Sequence, residues 1–79
     1  MFKGKKILIT GGTGSLGKAL AKRLLELDAE IVRIYSRNEN SQTTMESEFN
    51  DGRLRYFIGD VRDLPRLVKA MEDVDIVYH

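Results

Sequence analysis

The sequence predicts an α/β fold in which helices cover both faces of a parallel sheet. Three observations predict it. Short apolar runs recur along all 79 residues. The segments between them carry helical periodicity or polar, helix-compatible composition. A cluster of four glycines joins the first run directly to the first helical segment. Strands alternating with helices imply parallel pairing and right-handed crossovers.

Taken in order, residues 5–10 read as a short buried strand carried by Ile7, Leu8 and Ile9. From about Ser15 the period becomes helical, with Leu16, Leu20, Leu24 and Leu27 on one stripe and Ala19 beside it. Asp28-Ala29 ends that helix without a glycine. Residues 30–36 form a second strand centred on Ile31, Val32, Ile34 and Tyr35. Residues 37–49 are polar, a loop followed by a weak helix over about 41–49. Asn50-Asp51-Gly52 signals a turn. Residues 54–58 form a third strand, ended by Gly59-Asp60. Asp63 caps a third helix with Pro65 in its first turn, where the missing N–H costs little. Leu64, Leu67, Val68 and Met71 follow at i, i+3, i+4 and i+7. Residues 75–79 begin a fourth strand. The whole reads β-α-β-α-β-α-β, half of a Rossmann-type doubly wound sheet with strand order 3-2-1-4.

Bulk composition narrows the function. A chain this short holds one small domain with a modest core. Apolar residues make up 42% and charged residues 32%, as in ordinary soluble domains. A net charge of +1 gives no reason to expect nucleic acid or an acidic membrane as partner. No cysteine is present, which excludes disulfides and thiolate metal sites. No apolar run approaches the roughly 20 residues of a membrane span. The basic N-terminus lacks the apolar stretch of a signal peptide, so a cytoplasmic location is expected.

The glycine loop admits two readings. Gly12 to Lys18 nearly fits the triphosphate loop G-x-x-x-x-G-K-[ST], and Gly12 to Gly17 fits the dinucleotide fingerprint G-x-G-x-x-G. The first needs a hydroxyl after the lysine to hold magnesium, and Ala19 stands there. The second needs a glycine for the sharp turn, one for backbone approach to a pyrophosphate, and one for close helix packing. Gly11, Gly12, Gly14 and Gly17 supply these directly between a strand and an amphipathic helix. Free N–H groups at that helix start would receive the pyrophosphate.

The end of the second strand bears on the choice of cofactor. An acid there would accept from the adenosine ribose hydroxyls and repel a 2′-phosphate. Ser36-Arg37 stands there instead, and a guanidinium beside a hydroxyl suits a phosphate. NADP(H) is therefore favoured over NAD(H). Glu39 is near enough to take the ribose role, which keeps NAD open, and Arg37 also fits a solvated loop position. Asp60-Val61, after the third strand, suits the adenine: the carboxylate would accept from its amine and the valine pack on its ring. Asp60 fits the capping of a turn equally well. Terminal His79 shows no chemical partner in the sequence. Tyr35, Tyr56 and Tyr78 read as core or strand-edge residues.

With these residues in view, the chain resembles the N-terminal part of an extended short-chain dehydrogenase/reductase. Residues 10–17, TGGTGSLG, match that family's T-G-x-x-G-x-x-G. "VRIYSRNE", "MESEFND", "RLRYFIGDVRD" and "VDIVYH" are similar to the CapD-like polysaccharide-biosynthesis branch, which includes the inverting UDP-N-acetylglucosamine 4,6-dehydratases. The resemblance implies that Gly11, Gly14 and Gly17 cradle an NADP pyrophosphate with Thr13, Ser15 and Leu16 around it. It implies Ser36 and Arg37 at the 2′-phosphate, and Asp60 and Val61 at the adenine. Members of this branch oxidise the sugar at C4 with bound NADP+, eliminate water across C5–C6, and return the hydride at C6.

The superfamily's catalytic Tyr-x-x-x-Lys is not found: Glu39 stands four residues after Tyr35, and Asp60 four after Tyr56. No catalytic residue is therefore assigned. Residues 1–79 are expected to be a single partial NAD(P)-binding domain, with a UDP-sugar substrate only in a larger parent enzyme. In the expected strand order the fourth strand is an open edge, which suggests homodimers or larger assemblies. The other class of function open to the chain is a minimal folding or self-association module with little cofactor binding.

Overall fold

The computed structural model describes residues 2–79. Strands Lys6–Thr10 (β1), Ile31–Ser36 (β2), Leu54–Ile58 (β3) and Ile76–Tyr78 (β4) alternate with helices Ser15–Glu26 (α1), Glu39–Phe49 (α2) and Leu64–Ala70 (α3). The four strands pair in parallel in the order β3-β2-β1-β4, as expected from the sequence.

The sheet is covered on both sides, which is why its inner strands read as apolar runs rather than alternating patterns. Ile7, Ile9, Val32 and Ile34 pack with Ala21, Leu24 and Leu25 of α1 and Met45 of α2. Leu8 and Tyr35 pack with Ala70 of α3, flanked by Phe57, Leu67 and Val74. Arg33 fixes the end of α3 by donating to the carbonyls of Ala70 (2.8 Å) and Glu72 (2.6 Å).

Local signals account for the helix ends. Asn38 caps α2 by accepting from the Ser41 N–H at 3.0 Å, so this helix starts two residues earlier than its composition indicates. Asp63 caps α3 as expected, accepting from Arg66. Asp28 (φ 70°) and Asn50 (φ 45°) take the left-handed positions that follow α1 and α2.

Two expected apolar stripes differ from those observed. On α1 the buried positions are Gly17, Ala21, Leu24 and Leu25, at i, i+4, i+7 and i+8. Leu16 is 83% exposed, and Ala19 is exposed too. The first half of the helix approaches the loop and sheet so closely that Gly17 and Ala21 are buried there, while Leu24 and Leu25 fill the core further along. On α3 only Leu67 of the expected stripe packs, beside the small Ala70, while Leu64, Val68 and Met71 stay exposed.

Candidate functional site

Strand register brings three loop starts level. Thr10 of β1 lies beside Tyr35 of β2, and Ser36 of β2 beside Ile58 of β3. The ladder continues past the strands: Gly11 N–H donates to Tyr35 (2.8 Å) and Gly59 N–H to Ser36 (2.9 Å). The segments after β1, β2 and β3 therefore leave the sheet together at its C-terminal edge, where open α/β sheets hold ligands.

Those segments enclose a hollow of about 290 Å³, close to the lower bound of small-molecule sites. Gly11 lines it from β1, Tyr35, Ser36 and Arg37 from β2, and residues 59–62 from β3. The structure thus brings Gly11, Ser36, Arg37, Asp60 and Val61 together. Thr13, Gly14, Ser15, Leu16 and Gly17 are not part of its wall. They form the loop and first turn of α1 that follow Gly11.

The loop is shaped by its glycines. Gly11 adopts φ +67°, a conformation disfavoured for residues with a side chain. A Cβ on Gly17 would lie 2.5 Å from the Gly12 Cα, so only glycine permits this approach. At Gly14 a Cβ would meet nothing nearer than the Gly11 carbonyl at 3.9 Å, leaving the backbone open to a bound group. Gly14 is the N-cap of α1 and provides no side-chain hydrogen bond. The N–H groups of Ser15, Leu16 and Gly17 have no acceptor within the helix. Bare amides at a helix start suit a pyrophosphate. Lys18 Nζ pairs with Glu48 on α2 at 3.2 Å.

The electrostatics centre on Asp60. Its Oδ1 accepts from the Arg62 main-chain N–H (2.9 Å) and Nε (3.2 Å), and its Oδ2 accepts from Arg62 Nη2 (2.9 Å). Arg37 Nη1 lies 3.7 Å from Oδ2. The hydrogen bonds from Arg62, with the Arg37 charge, hold this carboxyl well below the usual aspartate range. Among the described residues Oδ2 accepts one hydrogen bond, from Arg62. Asp60 organises the turn through Arg62, the turn role open to it in the sequence. The Arg37 side chain is 75% exposed, with its charge at the mouth of the hollow. Glu39 does not line this hollow; with Arg37, Asn38 and Asn40 it lines a separate shallow surface.

Sequence reasoning missed two residues. Tyr35 is wholly buried, yet its hydroxyl reaches the loop after β3 and donates to the Asp60 carbonyl at 2.8 Å. Burial, reinforced by the Asp63 charge, raises its pKa and keeps it a donor. Gln42 of α2, 4% exposed, donates to Ser36 Oγ and to the Phe57 carbonyl, each at 2.8 Å. A glutamine inside a weak amphipathic helix gave no signal beyond its polarity.

A larger hollow of about 440 Å³ lies elsewhere, between α1 and the end of α2. Its charged residues include Asp51 and Arg53, which pair at 2.8 Å. No group of three or more metal-ligating side chains exists among the described residues. No helix among them is long and apolar enough to cross a membrane.

Residues 7–79 match the family described as "Polysaccharide biosynthesis protein". The chain belongs to that family. Within the polysaccharide biosynthesis family, it is 59% identical to the UDP-N-acetylglucosamine 4,6-dehydratase (inverting) of Campylobacter jejuni, over 100% of this chain and 24% of that protein. It spans about a quarter of the length of such curated relatives. The X-ray structure of Pen from Bacillus thuringiensis, 43% identical, superposes with a TM-score of 0.95 over 100% of this chain and 24% of that one. WbmF of Bordetella bronchiseptica, solved in complex with NAD+ and UDP, superposes at 0.81 with 23% identity, over 99% of this chain and 23% of that one. That last likeness is one of fold. This polysaccharide biosynthesis family member matches the N-terminal segment of extended short-chain dehydrogenases/reductases.

Proposed function

We propose that this chain is the NADP(H)-binding N-terminal segment of a nucleotide-sugar 4,6-dehydratase/epimerase-type enzyme of polysaccharide biosynthesis, forming one partial domain. The observation that carries the reading is the convergence of Gly11, Ser36-Arg37 and Asp60-Val61 on one hollow. The first-turn amides of α1 would hold the pyrophosphate, with Thr13, Gly14, Ser15, Leu16 and Gly17 around it. Arg37 and Ser36 would hold the 2′-phosphate, and Asp60 and Val61 the adenine. The bound cofactor supplies hydride transfer, and a UDP-sugar is the substrate of the whole enzyme. The identity to a UDP-N-acetylglucosamine 4,6-dehydratase supports that substrate class. NAD+ in the WbmF complex supports a dinucleotide and is the reason the 2′-phosphate needs a direct test.

Amide chemical-shift mapping during addition of NADP+ tests this. The reading expects shifts at residues 11–17, 36–37 and 60–61, with little change around Arg53. Shifts confined to other surfaces, or none at millimolar cofactor, would remove it.

One observation favours a second reading, self-association. Val77 of the edge strand β4 and Leu64, Val68 and Met71 of α3 are exposed apolar residues. Sedimentation over a concentration series separates the readings: a dimer that forms without cofactor supports self-association, and a dilute, cooperatively melting monomer opposes it.

A further inference from the structure

We propose that Gln42 sets the choice between NADP(H) and NAD(H) by fixing Ser36 as an outward-facing hydrogen-bond donor. The inference rests on reading the hollow at Ser36 and Arg37 as the phosphoadenosine site.

The argument is one of hydrogen-bond polarity. The Phe57 carbonyl can only accept, so the Gln42 amide must turn its nitrogen toward it; the two atoms lie 2.8 Å apart. The same nitrogen lies 2.8 Å from Ser36 Oγ, which therefore accepts. Its own proton is then left for another acceptor, and among the described residues Ser36 Oγ donates no hydrogen bond. Ser36 also lines the hollow with Arg37. A guanidinium is donor-only. The end of β2 thus presents two donors, which match a 2′-phosphate, itself only an acceptor at neutral pH. Gln42 is 4% exposed and makes no contact with the hollow, so it acts through Ser36 as a positioning residue. Because it ties α2 to the ends of both β2 and β3, this polarity is part of the fold.

The test is a double-mutant cycle on the 79-residue chain. Gln42→Met removes the donor at similar length, Ser36→Ala removes the hydroxyl, and the third variant combines them. Affinities for 2′,5′-ADP and 5′-ADP are measured for each, with thermal melts to establish folding. Gln42→Met should weaken 2′,5′-ADP about fivefold, the scale of one hydrogen bond, and leave 5′-ADP within about twofold. In the Ser36→Ala background it should change neither. Gln42→Glu, which would accept from Ser36, should weaken 2′,5′-ADP more than Gln42→Met does. Equal losses for both ligands would reduce Gln42 to a purely structural residue and overturn the inference. So would an undiminished effect in the Ser36→Ala background. If the unaltered chain binds 5′-ADP as tightly as 2′,5′-ADP, the NADP(H) reading itself fails, and the inference falls with it.

Discussion

The hydroxyl of Tyr35 donates to the main-chain carbonyl of Asp60 at 2.8 Å. This bond links the centre of the sheet to the loop that follows β3. The Asp60 carbonyl also accepts from the Asp63 N–H at 2.9 Å, so the turn is held from both sides. The Tyr35 ring and hydroxyl occupy the space that a side chain on Gly59 would need. Core packing and loop shape are therefore one arrangement.

Tyr35→Phe should lower stability by about 1 kcal/mol through the lost hydrogen bond. Gly59→Ala should cost about 1–3 kcal/mol by overpacking against a ring held in the core. In combination the two should cost less than their sum, because removing the hydroxyl relieves part of the clash. Chemical denaturation of the three variants checks this, and strict additivity would separate Gly59 from Tyr35.

Gly17→Ala places a methyl 2.5 Å from the Gly12 Cα, against backbone that cannot rotate away. The expected loss is about 1–3 kcal/mol, with displaced amide signals across residues 11–17. Gly14→Ala meets open space and should fold normally while weakening the cofactor. A melt and a titration on each variant test the contrast between a packing glycine and an approach glycine.

Acid should act through Asp60 and Asp51. The hydrogen bonds from Arg62 lower the first pKa, and those from Arg53 lower the second. A carboxyl whose folded pKa lies below its unfolded value contributes stability above the unfolded value, about 3.9, and loses it as pH falls toward the folded one. The melting temperature of Asp60→Asn should lie below that of the unaltered chain at pH 7. The gap should narrow steadily below about pH 4, where the wild-type carboxyl is increasingly protonated in the unfolded state. A gap independent of pH would contradict the Arg62 pairing.

Tyr56 supplies a converse case. Its hydroxyl is buried with no hydrogen-bond partner among the described residues. Tyr56→Phe should therefore be neutral or stabilising by up to about 1 kcal/mol, in contrast to Tyr35→Phe. Parallel denaturation curves of the two variants test the difference.

Strand order, alternation of elements and the glycine loop were legible because each rests on local chemistry. Apolar runs at Ile7-Leu8-Ile9 mark a strand buried on both faces, and four glycines in seven residues mark a close approach. The inward faces of α1 and α3 were legible only in part, at Leu20, Leu24 and Leu67. Gly17, Ala21 and Ala70 are buried because helices come close to the sheet and loop, and small residues carry no strong periodic signal. Tyr35 and Gln42 were hidden for another reason. Their partners, Asp60 and Phe57, lie 25 and 15 residues away, joined only by the fold. At Asp60 the turn role is the one seen, through Arg62, and the residue also lines the hollow proposed for the adenine.

The most direct test of the central claim is calorimetric titration of NADP+ and NAD+ into the chain and into Arg37→Ala. A charge-assisted hydrogen bond to a phosphate is worth about 1.5–3 kcal/mol, so NADP+ should bind at least about tenfold tighter than NAD+. Arg37→Ala should erase most of that preference while leaving NAD+ affinity unchanged. Equal binding of both cofactors by the unaltered chain, or a preference for NAD+, would contradict the account.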